Sequence, residues 1–133
     1  MPPRLSLTSI TIGCPNPRKL ATFYARLLGA EITSSEPPMP EEPETAGWAQ
    51  VRTTSDRGTI TLNFEYESQW QTPTWPSEPG KQHITQHLDI HVDDLKRATD
   101  WALECGATLA RYQPQDDVRV MIDPAGHPFC LYT

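Results

Sequence analysis

The sequence predicts an α+β fold made of two copies of one β-α-β-β-β unit. Two stretches carry this prediction, SITIGCPNPRKLATFYARLLGA at 9–30 and QHLDIHVDDLKRATDWALECGA at 86–107. In each, a strand with alternating faces precedes a helix opener, an amphipathic helix and a Gly-Ala stop. When the strands are aligned, Ser9 falls over His87 and the Gly-Ala stops match within one residue. Such a repeat predicts two tandem modules with helices on one face of a mixed sheet.

The composition predicts one globular domain and argues against several classes of function. A chain of 133 residues, 37% of them hydrophobic, is long enough to bury a core. The net charge of −6 argues against nucleic-acid binding and is mildly compatible with a cationic ligand. We find no apolar run near the roughly 20 residues of a membrane span, and no signal-peptide pattern. Three cysteines without close pairing favour a reducing cytoplasm.

The first module is predicted at about 4–68. Its first strand covers 5–14, and a change in the phase of alternation near Thr8 predicts a bulge or bend. The amphipathic helix that follows can be capped by Asn16 at its start. Gly29 can end that helix in the left-handed conformation.

Three further strands complete the first module, at 30–34, 48–53 and 59–67. A loop rich in Pro and Glu separates the first two, and a turn at 55–58 joins the last two into a hairpin. The last strand has apolar residues on one face, which leaves the other face to Thr61, Asn63 and Glu65.

The second module is predicted at about 83–133, after a Pro-rich linker at 69–82. Its elements are a strand at 84–92, a helix at 94–105, and strands at 107–112, 118–122 and 129–133. The sequence Asp-Pro-Ala-Gly at 123–126 fits a type I turn. His127, directly after this turn, is predicted to be exposed.

The strand that opens the second module places His87, Asp89 and His91 on one face, opposite Leu88, Ile90 and Val92. Two interpretations of His87 stay open. It lines a ligand cavity with Asp89 beside it, or it is hydrogen-bonded within a polar sheet face. His91, close to the helix start, is predicted to be peripheral.

Other candidate residues also have alternatives. Glu65 would be a general base if burial raised its pKa, but an ordinary exposed glutamate fits equally well. Cys130 is most simply a small core hydrophobe. Trp70 and Trp75 lie in the linker, where a cavity wall, a dimer seam or packing on the sheet would explain them. Packing and dimer contact are favoured over ligand binding.

These features resemble the vicinal oxygen chelate superfamily of glyoxalases, bleomycin resistance proteins and extradiol dioxygenases. The resemblance rests on the doubled βαβββ pattern, the segments LATFYARLLGA and HLDIHVDDL, and the C-terminal segment DPAGHPFCLY. It covers nearly the whole chain and is strongest to small glyoxalase-like domain proteins. It implies one domain, 1–133, whose sheets form a cup around a ligand cavity, commonly within a homodimer.

The resemblance also implies where a metal would bind. In metal-using members the four ligands, usually His or Gln with Glu, come from the first and last strands of each module. Here these positions fall on Ser9, on Glu65 or Asn63, on His87 and on Cys130. Ser is a poor ligand, and thiolate and carboxylate prefer different metals. We therefore expect no cofactor, with a divalent metal on His87 and Glu65 as the alternative.

The leading functional hypothesis is a protein that holds a small organic molecule in its sheet cavity without metal, as the bleomycin-resistance branch does. The residues expected to contact the ligand are Ser9, Thr11, Asn63, Glu65, His87, Asp89 and Cys130. His87 and Glu65 are the candidates for catalysis if the protein is an enzyme, which the sequence leaves open. The alternatives are a metal-dependent lyase, isomerase or dioxygenase, and a non-catalytic dimeric interaction protein.

Overall fold

Each half of the chain folds into a four-stranded mixed sheet that carries one helix. The computed structural model describes residues 1–133, and the chain divides into two compact units, 1–66 and 67–133. The order of elements in each unit is β-α-β-β-β. The predicted α+β fold with two tandem modules is therefore confirmed. Neither helix has the length and apolar content needed to cross a membrane.

The elements of the first unit are β1 (Ile10–Cys14), α1 (Pro17–Leu28), β2 (Glu31–Glu36), β3 (Trp48–Ser55) and β4 (Gly58–Tyr66). The sheet order is β1-β4-β3-β2, with β1 and β4 parallel and the other pairs antiparallel. Both predicted caps of α1 are present. The Asn16 side chain accepts a hydrogen bond from the Lys19 N–H at 3.3 Å, and Gly29 is left-handed at φ 61°. The helix packs on the sheet through Tyr24, whose ring stacks on Phe64.

The elements of the second unit are β5 (Leu88–His91), α2 (Leu95–Cys105), β6 (Thr108–Leu109), β7 (Val118–Ile122) and β8 (Pro128–Tyr132). The sheet order β5-β8-β7-β6 repeats that of the first unit, again with its first and last strands parallel. Asp94 caps α2 by accepting a hydrogen bond from the Arg97 N–H at 3.0 Å. Because the topologies match, β5 corresponds to β1 and β8 to β4.

Three predicted strands are shorter than the sequence pattern suggested. The first begins at Ile10 and leaves Leu5 and Leu7 exposed, because continuing the strand would put both on the face opposite the buried Ile12. The strand predicted at 84–92 pairs only over Leu88–His91.

The strand predicted at 107–112 pairs with β7 only at Thr108 and Leu109. Beyond it, one backbone hydrogen bond follows, from the Ala110 N–H to the Val120 carbonyl at 3.0 Å, and the Gln113 side chain then bonds to the backbone of both residues. Its amide donates to the carbonyls of Ala110 and Val120, and its carbonyl accepts from the Val120 N–H, all within 2.9 Å. The Gln113 side chain therefore supplies the acceptor for the Val120 N–H that a further backbone pair would otherwise provide.

The prediction that His127 is exposed was wrong, because this side chain is fully buried. The turn before it forms as predicted, with the Gly126 N–H donating to the Asp123 carbonyl at 2.9 Å. The buried Asp123 carboxylate also accepts from the backbone N–H groups of Ala125 and His127. These bonds hold His127 inward, where its ring meets that of Trp70 at 4.7 Å. The packing interpretation of Trp70 is thereby confirmed.

Candidate functional site

A pocket of about 490 Å³ is formed by side chains of the second unit alone. Its lining includes Trp75 from the linker, His87 and Asp89 at the start of the sheet, Val118 and Val120 of β7, and Cys130 and Tyr132 of β8. Small-molecule sites typically enclose about 300–1,000 Å³ and combine apolar walls with a few polar groups. The pocket has the size and the lining of such a site.

Its polar corner consists of His87, Asp89 and Cys130. The Nε2 atom of His87 lies 3.1 Å from Oδ1 of Asp89, and the potential ligand atoms of all three residues lie within 4.8 Å of one another. The register explains this proximity, because Asp89 pairs with Cys130 across the parallel strands β5 and β8. His87 lies two residues before Asp89 and therefore shares its face. The structure thus brings these three predicted site residues together.

The thiol of Cys130 is in its protonated form at neutral pH. Burial raises the pKa of this thiol above its ordinary value, and the negative charge of Asp89 raises the pKa further. Only 7% of the residue is exposed. Since the thiolate is the nucleophilic form of cysteine, Cys130 offers the pocket a soft, neutral surface instead of a nucleophile.

One wall of the pocket is the indole of Trp75. Its N–H donates to the Tyr112 carbonyl at 3.4 Å, and the two rings meet edge to face with centroids 6.2 Å apart. The same indole packs against a cluster that includes Val120 and Cys130. Trp75 therefore both packs on the sheet and lines the pocket, although sequence reasoning favoured packing over ligand contact.

Tyr132 and the two valines of β7 were not singled out from the sequence. Strand alternation offers a signal for one of them, because Tyr132 lies two residues after Cys130 and shares its face. Val118 and Val120 belong to the pocket through the pairing of β7 with β8, in which Val118 lies opposite Tyr132. That pairing is non-local and has no signal in a single strand.

The corresponding positions of the first unit carry neutral side chains, and two of these, Ser9 and Asn63, are hydrogen-bonded to each other. Asn63 pairs with Thr11 across β1 and β4, as Cys130 pairs with Asp89. The Asn63 amide donates to the Ser9 hydroxyl at 3.2 Å, and its carbonyl accepts from the Gln50 amide at 2.9 Å. The register therefore makes Asn63, rather than Glu65, the counterpart of Cys130.

Glu65 lies apart from this network. It pairs with Gly13 of β1, four residues after Ser9 in the chain, and its side chain is exposed. It lines a separate pocket of about 500 Å³ in the first unit, together with Trp48 and Tyr66. The structure consequently does not join Glu65 with Ser9 and Asn63.

The two donor sets fit a metal ion to different degrees. The set that the resemblance implies fits poorly in the first unit, because the Ser9 hydroxyl is bonded to Asn63 and Glu65 lines another pocket. In the second unit, His87, Asp89 and Cys130 bring an imidazole, a carboxylate and a thiol within 4.8 Å. Imidazole and thiolate are typical zinc ligands, and catalytic zinc sites use three protein ligands.

Comparison with known proteins gives a consistent family assignment. Residues 9–132 match the family described as "glyoxalase-like domain". No curated protein sequence matches the chain.

Three solved structures illustrate the similarity in fold. A glyoxalase family protein from Enterococcus faecalis is 20% identical, with 96% of this chain and 97% of that chain covered and a TM-score of 0.65. The fosfomycin resistance protein FosX from Listeria monocytogenes, complexed with Mn(II) and sulfate, is 14% identical, with 96% and 91% covered and a TM-score of 0.67. TnmS3, an antibiotic binding protein from Streptomyces sp. CB03234, is 17% identical, with 96% and 95% covered and a TM-score of 0.54. The chain belongs to the glyoxalase-like domain family, within the vicinal oxygen chelate superfamily.

Proposed function

We propose that this protein binds a small organic molecule in the pocket of its second unit, without a resident metal and without changing the molecule chemically. The observation that carries the proposal is the lining of that pocket. An aromatic wall at Trp75 and apolar groups of β7 face a corner whose thiol is protonated. Support also comes from the antibiotic binding protein TnmS3, which has a similar fold.

The chemistry of the lining favours binding over turnover. Cys130 is not ionised at neutral pH, so it is a poor nucleophile. The nearest carboxylate, Asp89, is already 3.1 Å from His87. Glu65, the other residue predicted as an acid–base group, lines a pocket of the first unit. The pocket therefore has recognition groups but no activated nucleophile.

A thermal-shift screen with aromatic and heteroaromatic compounds tests the proposal. A ligand at 100 times its Kd stabilises the folded state by about 2.7 kcal/mol, which raises the melting temperature. We expect such shifts in the wild type and a large loss of them in Trp75→Ala, which removes the aromatic wall. Trp101→Ala is the matched control, because Trp101 lies on α2, is 39% exposed and does not line the pocket.

The screen has two results that contradict the proposal. One is the absence of any stabilising compound, and the other is a set of compounds whose shifts are equal in Trp75→Ala and Trp101→Ala. Trp75→Phe guards against a folding defect, because it keeps an aromatic ring in contact with Val120 and Cys130. This variant is expected to retain most of the ligand-induced shift.

A metal-dependent lyase, isomerase or dioxygenase is the second candidate function. It is favoured by the three donors His87, Asp89 and Cys130 lying within 4.8 Å, and FosX, with a similar fold, is complexed with Mn(II). Such an ion, when bound, acts as a Lewis acid on substrate oxygens. These three donors take the place of His87 with Glu65, the pair expected from the sequence, because Glu65 lines a pocket of the first unit.

Metal content measured by mass spectrometry, after incubation with Zn²⁺, Mn²⁺, Fe²⁺, Co²⁺ or Ni²⁺, decides between the two candidates. The second candidate requires about one ion per chain in the wild type, as in catalytic zinc sites. This ion must be lost in His87→Ala and kept in His83→Ala, since His83 does not line the pocket. Equal metal content in the two variants would rule the metal-dependent candidate out.

The assembly and location of the protein are further parts of the proposal. We propose a single domain over 1–133 that forms a homodimer in the cytoplasm, in keeping with the family resemblance and the absence of close cysteine pairs. Light scattering on purified protein tests the dimer. A purely structural role for the dimer is less well supported, because a pocket of about 490 Å³ is not filled by side chains.

A further inference from the structure

We infer that the pocket of the second unit selects aromatic ligands that carry a positively charged amine and rejects their anionic counterparts. This inference rests on the proposed function and adds the chemical class of the ligand. It is carried by the sign of the charges that line the pocket and by the aromatic rings beside them.

The lining combines two carboxylates with the imidazole of His87. Asp89 and Asp117 line the pocket, whereas no lysine or arginine does. Arg119 follows Val118 along β7, but its guanidinium donates to the carbonyls of Asp116 and Val118 and is not part of the lining. The two carboxylates of the lining therefore favour a cationic ligand and oppose an anionic one.

Asp89 retains capacity to bind an ammonium group. Its Oδ1 atom is 3.1 Å from His87, but a carboxylate has two oxygens and about four acceptor positions. The side chain is 66% exposed, so a ligand can reach it. Its charge also acts inside the pocket, since it contributes to the raised pKa of the neighbouring Cys130 thiol.

The aromatic preference follows from the walls. Trp75 is held by its hydrogen bond to Tyr112, so a ligand can use its ring without having to order it first. Tyr132 supplies a second ring, and Val118 and Val120 supply apolar area between the strands. Aromatic rings attract planar ligands and also stabilise a nearby cation through their negative faces.

Calorimetric titration with three ligands of similar shape tests the inference. The ligands are 2-naphthylmethylamine, 2-naphthylmethanol and 2-naphthoate, which are cationic, neutral and anionic at about pH 8, where imidazole groups are ordinarily neutral. We expect affinity to fall in that order at low ionic strength, and the differences to shrink when salt is added.

Two charge-removing variants and one control locate the effect. Asp89→Asn and Asp117→Asn are each expected to weaken amine binding about two- to fivefold, the range that an exposed ion pair contributes, and to weaken binding of the alcohol by less. Asp93→Asn removes a carboxylate outside the pocket lining and should change the affinity for neither the amine nor the alcohol. Asp117 lies in an exposed loop, so Asp117→Asn still tests the charge effect if Asp89→Asn does not fold.

The outcomes separate this inference from the function on which it rests. If the alcohol or the carboxylate binds as tightly as the amine, the charge selection is overturned while ligand binding stands. If amine binding responds equally to Asp93→Asn and Asp89→Asn, the assignment to this pocket is overturned. If none of the three ligands binds, this inference is overturned, whereas the proposed function is contradicted only when the thermal-shift screen also yields no stabilising compound.

Discussion

Asn63 and Cys130 occupy the same position in the two modules. Each lies on the last strand of its sheet and pairs with the parallel first strand, Asn63 with Thr11 and Cys130 with Asp89. The Asn63 amide is hydrogen-bonded to the Ser9 hydroxyl, whereas the buried Cys130 thiol lies near the Asp89 carboxylate. One backbone pattern therefore carries a neutral network in the first unit and a titratable corner in the second.

Because the pKa of the Cys130 thiol is raised, we expect the free energy of unfolding to decrease at alkaline pH. Its pKa in the folded state is above the ordinary value of 9.0, so the folded protein keeps a proton that the unfolded chain releases as the pH passes that value. The stability that this proton contributes is complete below the unfolded pKa and is lost as the pH rises through the folded one.

Urea unfolding of the wild type and Cys130→Ala between about pH 7.5 and about pH 10 measures this effect. The free energy of unfolding of the wild type, relative to Cys130→Ala, is expected to fall with rising pH. Asp89→Asn should make the fall smaller, because Asp89 is the second cause of the raised pKa. A difference that stays constant over this range would show that the pKa of the Cys130 thiol is not raised in the folded state.

The neutral network predicts coupling between Gln50 and Asn63. The Gln50 amide donates to the Asn63 carbonyl at 2.9 Å, and a hydrogen bond of this kind contributes about 0.5–1.5 kcal/mol. Asn63→Ala should therefore lower the free energy of unfolding by about that amount, and by less in a Gln50→Ala background. A double-mutant cycle in urea measures the coupling, and strictly additive effects would show that the network contributes nothing.

Much of the local structure could be predicted because short-range chemistry determines it. Asn16 and Asp94 each accept a hydrogen bond from the backbone three residues on, which is a local requirement of a helix start. The proximity of His87 to Asp89 follows from alternation along one strand. These features need no knowledge of distant residues.

The parts that could not be predicted depend on non-local contacts. The choice between Asn63 and Glu65 required the register of β4 against β1, which a single strand pattern does not contain. The burial of His127 depends on Asp123 and on Trp70, which lies more than fifty residues earlier in the chain. Trp75 likewise reaches the pocket by a path of the linker that its Pro-rich composition does not encode.

Gly126, in the turn before β8, lies so close to Thr72 of the linker that an added side chain would overlap it. Its φ is +99°, and an added Cβ would lie 2.6 Å from the Thr72 methyl carbon. Gly126→Ala should cost about 1–3 kcal/mol for the overlap, in addition to about 1 kcal/mol for the left-handed backbone. Gly58→Ala is the control, because Gly58 has a φ of +108° with no atom within 4 Å.

Thr72→Ser removes the methyl carbon that an added Cβ would meet and isolates the overlap. We expect the cost of Gly126→Ala, measured by thermal unfolding, to fall toward that of Gly58→Ala when Thr72→Ser is present. Equal costs for the two glycine variants in the wild-type background would show that the linker does not lie against this turn.

NMR titration with 2-naphthylmethanol shows directly whether a small organic molecule binds in the pocket of the second unit. This neutral probe makes the result independent of the charge preference. We predict shifts of the Trp75 indole N–H and of the Asp89, Cys130 and Tyr132 amides, with the Trp48 indole unchanged. Shifts confined to Trp48 and Tyr66, or no shift at any concentration, would contradict the claim.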